Sequence, residues 1–249
     1  MKKDLVEAIL IIDRSGSMSS IQKSTISGIN EVINAQKTSG KNVKITLAQF
    51  DTEYEVLVDC VDASLVGEIT DATYVPRGMT ALHDAIGRTI NSVGNRLANT
   101  PEDERPERVL FTIITDGFEN ASTDFDSAKI KSMIEHQTNK YGWGFAYLGA
   151  NQDAILVSSK LGIARGSTMT FLANDTSNSA MYTSVANMNN RFYTTGSLSF
   201  TDEERAAVSQ TEPTSTGLTF QTNAVAMANN VPTIATNTTG TTRTSRKSA

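Results

Sequence analysis

The sequence contains one cysteine, Cys60, and two histidines, His83 and His136, in 249 residues. A lone thiol excludes an internal disulfide and suits a reducing compartment; it is read as packed and given no role. The histidines are too few and too scattered for a zinc centre. Basic residues are also scarce. Against 27 acids stand 22 Lys and Arg, and a net charge of −5 argues against general nucleic-acid binding, which needs a basic surface. No apolar run is long enough for a membrane span. The opening "MKKDLVEAILIID" is interrupted by Asp4 and Glu7, ended by Asp13, and followed by no A-x-A-like cleavage site. It reads as a strand rather than a signal peptide. Two enzyme signatures are missing as well. "DRSGSMSS" after that strand lacks the G-x-G-x-x-G of a dinucleotide site, and no G-x-S-x-G with a histidine base is evident.

What is present is an ordinary globular composition, 39% hydrophobic and 20% charged, with strand and helix patterns in alternation. "LVEAILII" (5–12) is nearly continuous in apolar residues, as a strand covered on both faces should be. Ile26, Ile29 and Ile33 give 19–37 a helical stripe, with Ser19 or Ser20 as N-cap. "NVKITLAQF" (42–50) and "EYEVLVD" (53–59) are joined by only Asp51 and Thr52, so they must be antiparallel neighbours at a sheet edge. The clearest helix is 80–98, striped by Leu82, Ile86, Ile90, Val93 and Leu97. Further strands are expected at 108–115, 143–150 and 167–173. Helices are expected around Ile130, Met133, Ile134 and Gln137, over 153–161 up to Gly162, and around Met181, Val185, Met188 and Phe192.

This pattern predicts an α/β fold: a Rossmann-like, doubly wound, mostly parallel six-stranded sheet with one antiparallel edge strand and helices on both faces. The domain is placed over 1–195. Residues 196–249 form a Ser/Thr/Asn-rich extension, with one capped helix expected in "FTDEERAAVSQ" (200–210) and a flexible tail after about 211. Arg243, Arg246 and Lys247 near the end are read as a solvated tail.

The chemistry lies at strand ends. Open α/β sheets bind ligands beyond the C-terminal ends of their strands, where strand order reverses. "IIDRSGS" puts Asp13, Ser15 and Ser17 on alternate residues at the end of the first strand. "FTIITDGFEN" puts Asp116 at the end of another, and "PRGMTALHDAIG" opens the strongest helix with Thr80. If the sheet runs 3-2-1-4-5-6, the strands ending in Asp13 and Asp116 flank the reversal and all five groups face one point. Two carboxylates and three hydroxyls, with no Cys or His, form a hard-oxygen set suited to Mg²⁺ or Mn²⁺, with a coordination position left open. Each residue also has a plain local use. Asp13, Ser15, Ser17 and Thr80 are good helix caps, and Asp116 precedes a turn glycine. Asp84 is read as stabilising a helix N-terminus by its charge, Asp51 and Glu119 as solvated loop acids, and His83 as a surface helix residue.

D-x-S-x-S after the first strand, a Thr in a G-x-T turn and T-D-G after the fourth strand together resemble the von Willebrand factor A domain. The five residues match its metal-ion-dependent adhesion site (MIDAS), and the element order matches over roughly 1–195. The resemblance implies a Mg²⁺ or Mn²⁺ contacted by Ser15, Ser17 and Thr80, with Asp13 and Asp116 holding its waters and serines. An Asp or Glu of a protein partner would complete the shell. It implies a protein-binding module with no catalytic activity. Met79 departs from the pattern, since many members have a second glycine there. "YLGANQDAILVSSKLGI" is similar to small bacterial and prophage-encoded members.

Two rivals follow. A haloacid-dehalogenase-like phosphohydrolase shares the sheet, the Mg²⁺ and the first aspartate, but needs an acid two residues later, where this chain has Ser15. A phage or prophage structural or assembly component would use the same site for subunit contact. The expected location is the cytoplasm, or the virion for a phage component.

Overall fold

A computed structural model describes residues 1–150 and 153–209. The strands are β1 (Lys2–Asp13), β2 (Asn42–Phe50), β3 (Tyr54–Asp62), β4 (Pro106–Thr115), β5 (Gly144–Ala150) and β6 (Thr168–Phe171). The helices are α1 (Gln22–Lys37), α2 (Leu82–Ala98), α3 (Ser127–Tyr141), α4 (Ala154–Lys160), α5 (Asp175–Thr195) and α6 (Asp202–Val208). The strands form one sheet in the order β3-β2-β1-β4-β5-β6. Every neighbouring pair is parallel except β2–β3, which is antiparallel and has an irregular register. This is the expected architecture, with the strand order reversing between β1 and β4.

The continuous apolar run of β1 is explained by its central place. Leu10 and Ile12 face a core shared with Ile29, Val32 and Ile33 of α1 and Met181, Val185 and Met188 of α5. Ile9 and Ile11 face the opposite core, with Ile86, Ile90 and Val93 of α2 and Ile130 and Ile134 of α3. Alternate residues of a strand point to opposite faces, so a strand covered twice has no position left for a polar side chain. Glu7 is the exception in this strand. It is buried in mid-strand and ion-paired with Arg96 of α2, which offsets the cost of burying its charge.

Element boundaries differ from expectation where loops are held by distant partners. The helix expected from residue 19 starts at Gln22, because the chain first makes a 3₁₀ turn over Gly16–Ile21. Ser19 Oγ donates to Gly16 O inside that turn instead of capping α1. Helix α2 begins at Leu82, so Thr80 precedes the helix rather than opening it. Strand β3 runs on to Asp62 through Cys60 at φ 54°.

Past residue 195 the described chain remains packed. Gly196, at φ 78°, ends α5 in the left-handed conformation that favours glycine. α6 then starts with a reciprocal capping box between Thr201 and Glu204. Arg191 forks onto both carboxylate oxygens of Glu204 at 2.8 and 2.7 Å, while Phe200 and Val208 are buried in the α1/α5 core. Arg205 donates to Thr168 O of β6 at 2.6 Å and to Gly166 O at 2.9 Å. The packed domain thus continues to Val208, and the flexibility expected after about residue 211 lies outside the described residues. No helix among the described residues is long and apolar enough to cross a membrane.

α1 and α5 approach closely at Gly28, where an added Cβ would fall 2.1 Å from the Tyr182 ring. Gly28→Ala is therefore expected to destabilise the protein by about 1–3 kcal/mol through overpacking. Gly94→Ala, in α2, meets only Trp143 at 3.9 Å and should stabilise by roughly 0.5–1 kcal/mol through helix propensity. Chemical denaturation of the two variants checks this, and equal shifts of the same sign would contradict the packing argument.

Candidate metal centre

Because β1 and β4 are parallel neighbours, their last residues emerge side by side at the C-terminal edge of the sheet. Asp13 is fully buried there. Its Oδ1 accepts from Ser15 N at 2.6 Å and its Oδ2 from Thr115 Oγ1 at 2.6 Å. Ser15 Oγ lies 3.1 Å from Ser17 Oγ, and Ser17 Oγ donates to Asp116 Oδ1 at 2.6 Å. Thr80 arrives from the loop before α2. A Cβ built on Gly117 would stand 2.7 Å from Thr80 Oγ1 and 3.5 Å from Asp13 Oδ2, so Thr80 and Asp13 both flank that glycine. Each of the five residues singled out in the sequence thus has another of them, or their shared glycine, as an immediate neighbour.

Three loops carry these groups, and hydrogen bonds between the loops fix their spacing. Gly16 N donates to Gly78 O at 3.2 Å, Arg77 N to Arg14 O at 2.8 Å, and Tyr74 Oη to Asp13 O at 2.6 Å. Gly78 adopts φ 68°, which suits glycine at this turn. Thr80 N donates to Asn120 Oδ1 at 2.9 Å and Asn120 N returns a bond to Thr80 O at 3.0 Å.

Two acids have roles other than those expected, and a third has an additional one. Asp51 is not a solvated loop acid: it is 2% exposed and pairs with Arg14 and Arg77, each at 2.9 Å, joining the first two loops. Glu119 is not solvated either. It accepts from the backbone N–H groups of His83, Ala121 and Ser122 at 2.9, 2.9 and 2.8 Å. Burial pushes its pKa up, but these bonds outweigh that and hold it below the usual value. Asp84 stands in the first turn of α2, the place expected of an end charge, and in addition accepts from Thr123, Asp124 and Phe125 N–H at 3.1, 3.0 and 3.0 Å, binding the third loop to the helix. His83 is half-buried beside Glu119 rather than on the surface. Sequence reasoning missed Thr115, Tyr74 and Asn120. Thr115 alone had a visible signal, a hydroxyl next to Asp116 at the end of the strand paired with β1.

Burial dominates the electrostatics. It raises Asp13 from 3.8 to about 6, against the bonds from Thr115 and Ser15, with the nearby Asp116 charge adding to the rise. Asp116 is also raised by burial, opposed by its bond from Ser17. Among the described residues neither carboxylate has an ion-pair partner. Two desolvated, uncompensated carboxylates beside three hydroxyls fit a hard divalent cation, and the set offers no nitrogen or sulfur. No group of three His, Cys, Asp or Glu able to hold a metal occurs among the described residues, so a cation here must rely on the hydroxyls.

A carboxyl with a raised folded-state pKa stabilises the fold while protonated. Asp13's contribution is complete below about 3.8 and lost as pH rises through about 6. In EDTA, the wild type should lose stability across this window, and Asp13→Asn should lose less. Melting curves from pH 4 to 7 with identical slopes for the two proteins would contradict this. Gly117→Ala should push the Thr80 hydroxyl away and weaken any stabilisation by Mg²⁺, measured as the melting shift on adding the ion.

No protein-family model matches the sequence, and no curated protein matches it either. Solved structures do match in shape. The vWF domain of the type V pili tip protein Mfa5 from Porphyromonas gingivalis superposes with a TM-score of 0.51 at 14% identity, covering 78% of this chain and 98% of that one. A mutant of the PilB minor pilin from Streptococcus sanguinis gives 0.53 at 12% identity over 78% of this chain and 63% of that one. Proximal thread matrix protein 1 from the mussel byssus, solved with zinc in its MIDAS motif, gives 0.51 at 12% identity over 76% and 47%. The chain spans less than two thirds of the pilin and of the mussel protein. With its strand order and its single antiparallel edge strand, the chain has the von Willebrand factor A fold.

Proposed function

We propose that this chain is a non-enzymatic protein-interaction module with a metal-ion-dependent adhesion site. Asp13, Ser15, Ser17, Thr80 and Asp116 would hold Mg²⁺ or Mn²⁺, which when bound supplies a positive centre for an Asp or Glu of a protein partner. The observation that carries this reading is a buried carboxylate, Asp13, and a half-buried one, Asp116, neither with a counter-ion, gathered with three hydroxyls at the edge where the strand order reverses. The chain's own residues divide the work. Thr115 and the Ser15 N–H orient both oxygens of Asp13, Asp116 orients Ser17, and the Asn120 bonds hold Thr80. With hydroxyls as direct ligands, the bound cation keeps enough charge to favour an anion, and charge-assisted contacts are strong when partly dry.

Phosphohydrolase chemistry lacks support. The position that must supply the acid is Ser15, whose hydroxyl faces Ser17. A second reading, subunit contact in a particle or fibre, is favoured by the neighbours themselves, which are a minor pilin, a pilus tip protein and a thread matrix protein. Both readings use the same site and differ only in whether the partner is a separate protein or an assembly neighbour.

Binding to the native state alone raises stability by RT ln(1 + [L]/Kd), about 2.7 kcal/mol at ~100 Kd. Mg²⁺ or Mn²⁺ should therefore raise the melting temperature, EDTA should reverse it, and Asp13→Ala should abolish it. Thr80→Ala should weaken capture of a carboxylate-bearing partner far more than it weakens folding. A melting temperature indifferent to both metals and to EDTA would remove the metal site from consideration.

A further inference from the structure

Two large apolar residues stand exposed beside this site. Phe118 is 65% exposed and Met79 55% exposed, each within two residues of a proposed ligand, Asp116 and Thr80 respectively. Scattered surface hydrophobics are ordinary. These two differ in how firmly their backbones are held. The loop of Phe118 is fixed on its C-terminal side by the four hydrogen bonds to the Glu119 carboxylate and by the paired bonds between Asn120 and Thr80. Met79 N donates to Thr52 Oγ1 at 3.1 Å, and its neighbours Gly78 and Thr80 are bonded to Gly16 and Asn120. The loops therefore have little entropy to lose on binding, and their two large side chains are more than half exposed. Among the three hydroxyl residues Ser17 is the exposed one, beside the exposed Gly16, while Ser15 and Thr80 are buried.

We propose that Met79 and Phe118 select partners in which the acidic residue that reaches the site is flanked by a large apolar side chain. This rests on the metal-site reading above and adds to it the character of the partner's neighbouring residues. Charge complementarity supplies the acid, as the metal-loaded site attracts an anion. Met79 and Phe118 supply the flank, because aromatic and methionine side chains are enriched in the cores of protein interfaces. Phosphate or a free carboxylate would leave both side chains in water. A segment such as Leu-Asp or Asp-Phe in a protein loop would cover them.

The test uses the full chain and short synthetic peptides with a central Asp, flanked by Leu and Phe or by Ser and Gly. In Mg²⁺ the wild type should bind the apolar-flanked peptide about tenfold more tightly than the polar-flanked one. Phe118→Ser and Met79→Ser should each reduce that ratio towards unity, leaving the Mg²⁺-induced melting shift and the weaker affinity intact. A ratio near one in the wild type, or one unchanged in both variants, overturns the proposal while leaving the metal site standing. So does equal binding of a peptide with Asn in place of Asp, or no binding of either peptide at millimolar concentration. Mg²⁺-dependent dimerisation of the chain alone, lost in Phe118→Ser, would assign the rim to a second copy and overturn it too. If Mg²⁺ gives no melting shift and EDTA leaves binding untouched, the metal reading has failed, and this inference with it.

Discussion

The parallel pairing of β1 with β4 is the constraint on which the rest depends. It places Asp13 and Thr115 on adjacent strands where their side chains bond at 2.6 Å, and it delivers Ser15, Ser17 and Asp116 to the same edge. Both strands are buried on both faces, so the pairing is secured by two hydrophobic cores that take no part in the chemistry. A carboxylate can remain fully buried at the end of such a strand only because the two bonds it accepts leave neither oxygen without a donor.

Around that fixed point the loops are positioned by charge. Asp51 holds both Arg14, next to Asp13, and Arg77, three residues before Thr80, and so relates two loops that share no strand. Glu119 and Asp84 do the same for the third loop, using backbone N–H groups. The local chemistry is thus divided. Hydroxyls and the acids bonded to them face the open position, while fully engaged acids hold the loops around it.

This division explains what the sequence could and could not reveal. The unbroken apolar run of β1, the stripe of α2 and the short link between β2 and β3 are local signals, and they were enough to predict the element order and the reversal of strand order between β1 and β4. The five candidate residues stood out as a set because each lies at or just beyond a strand or helix end. The loop acids were not. Asp51 and Asp84 take partners 26 to 41 residues away, among them Arg77 and Phe125, and Glu119 adds His83 N–H, 36 residues away, to its local bonds from Ala121 and Ser122; no local pattern records the distant pairings. The late start of α1 has the same origin, since the 3₁₀ turn that displaces it is tied to Gly78.

The two sheet edges narrow the ways in which anything can join this protein. At one end β3 pairs irregularly, turns through Cys60 at a positive φ and exposes Glu55 and Asp59, features that discourage another strand from aligning. At the other end β6 is four residues long, and Arg205 occupies the carbonyl of Thr168. Strand addition, a common way for sheet proteins to recruit peptides or to aggregate, therefore has no long, regular edge on which to begin. A visitor is left with side chains rather than backbone to grip, and recognition of this chain becomes a matter of which residues it carries rather than of extended shape.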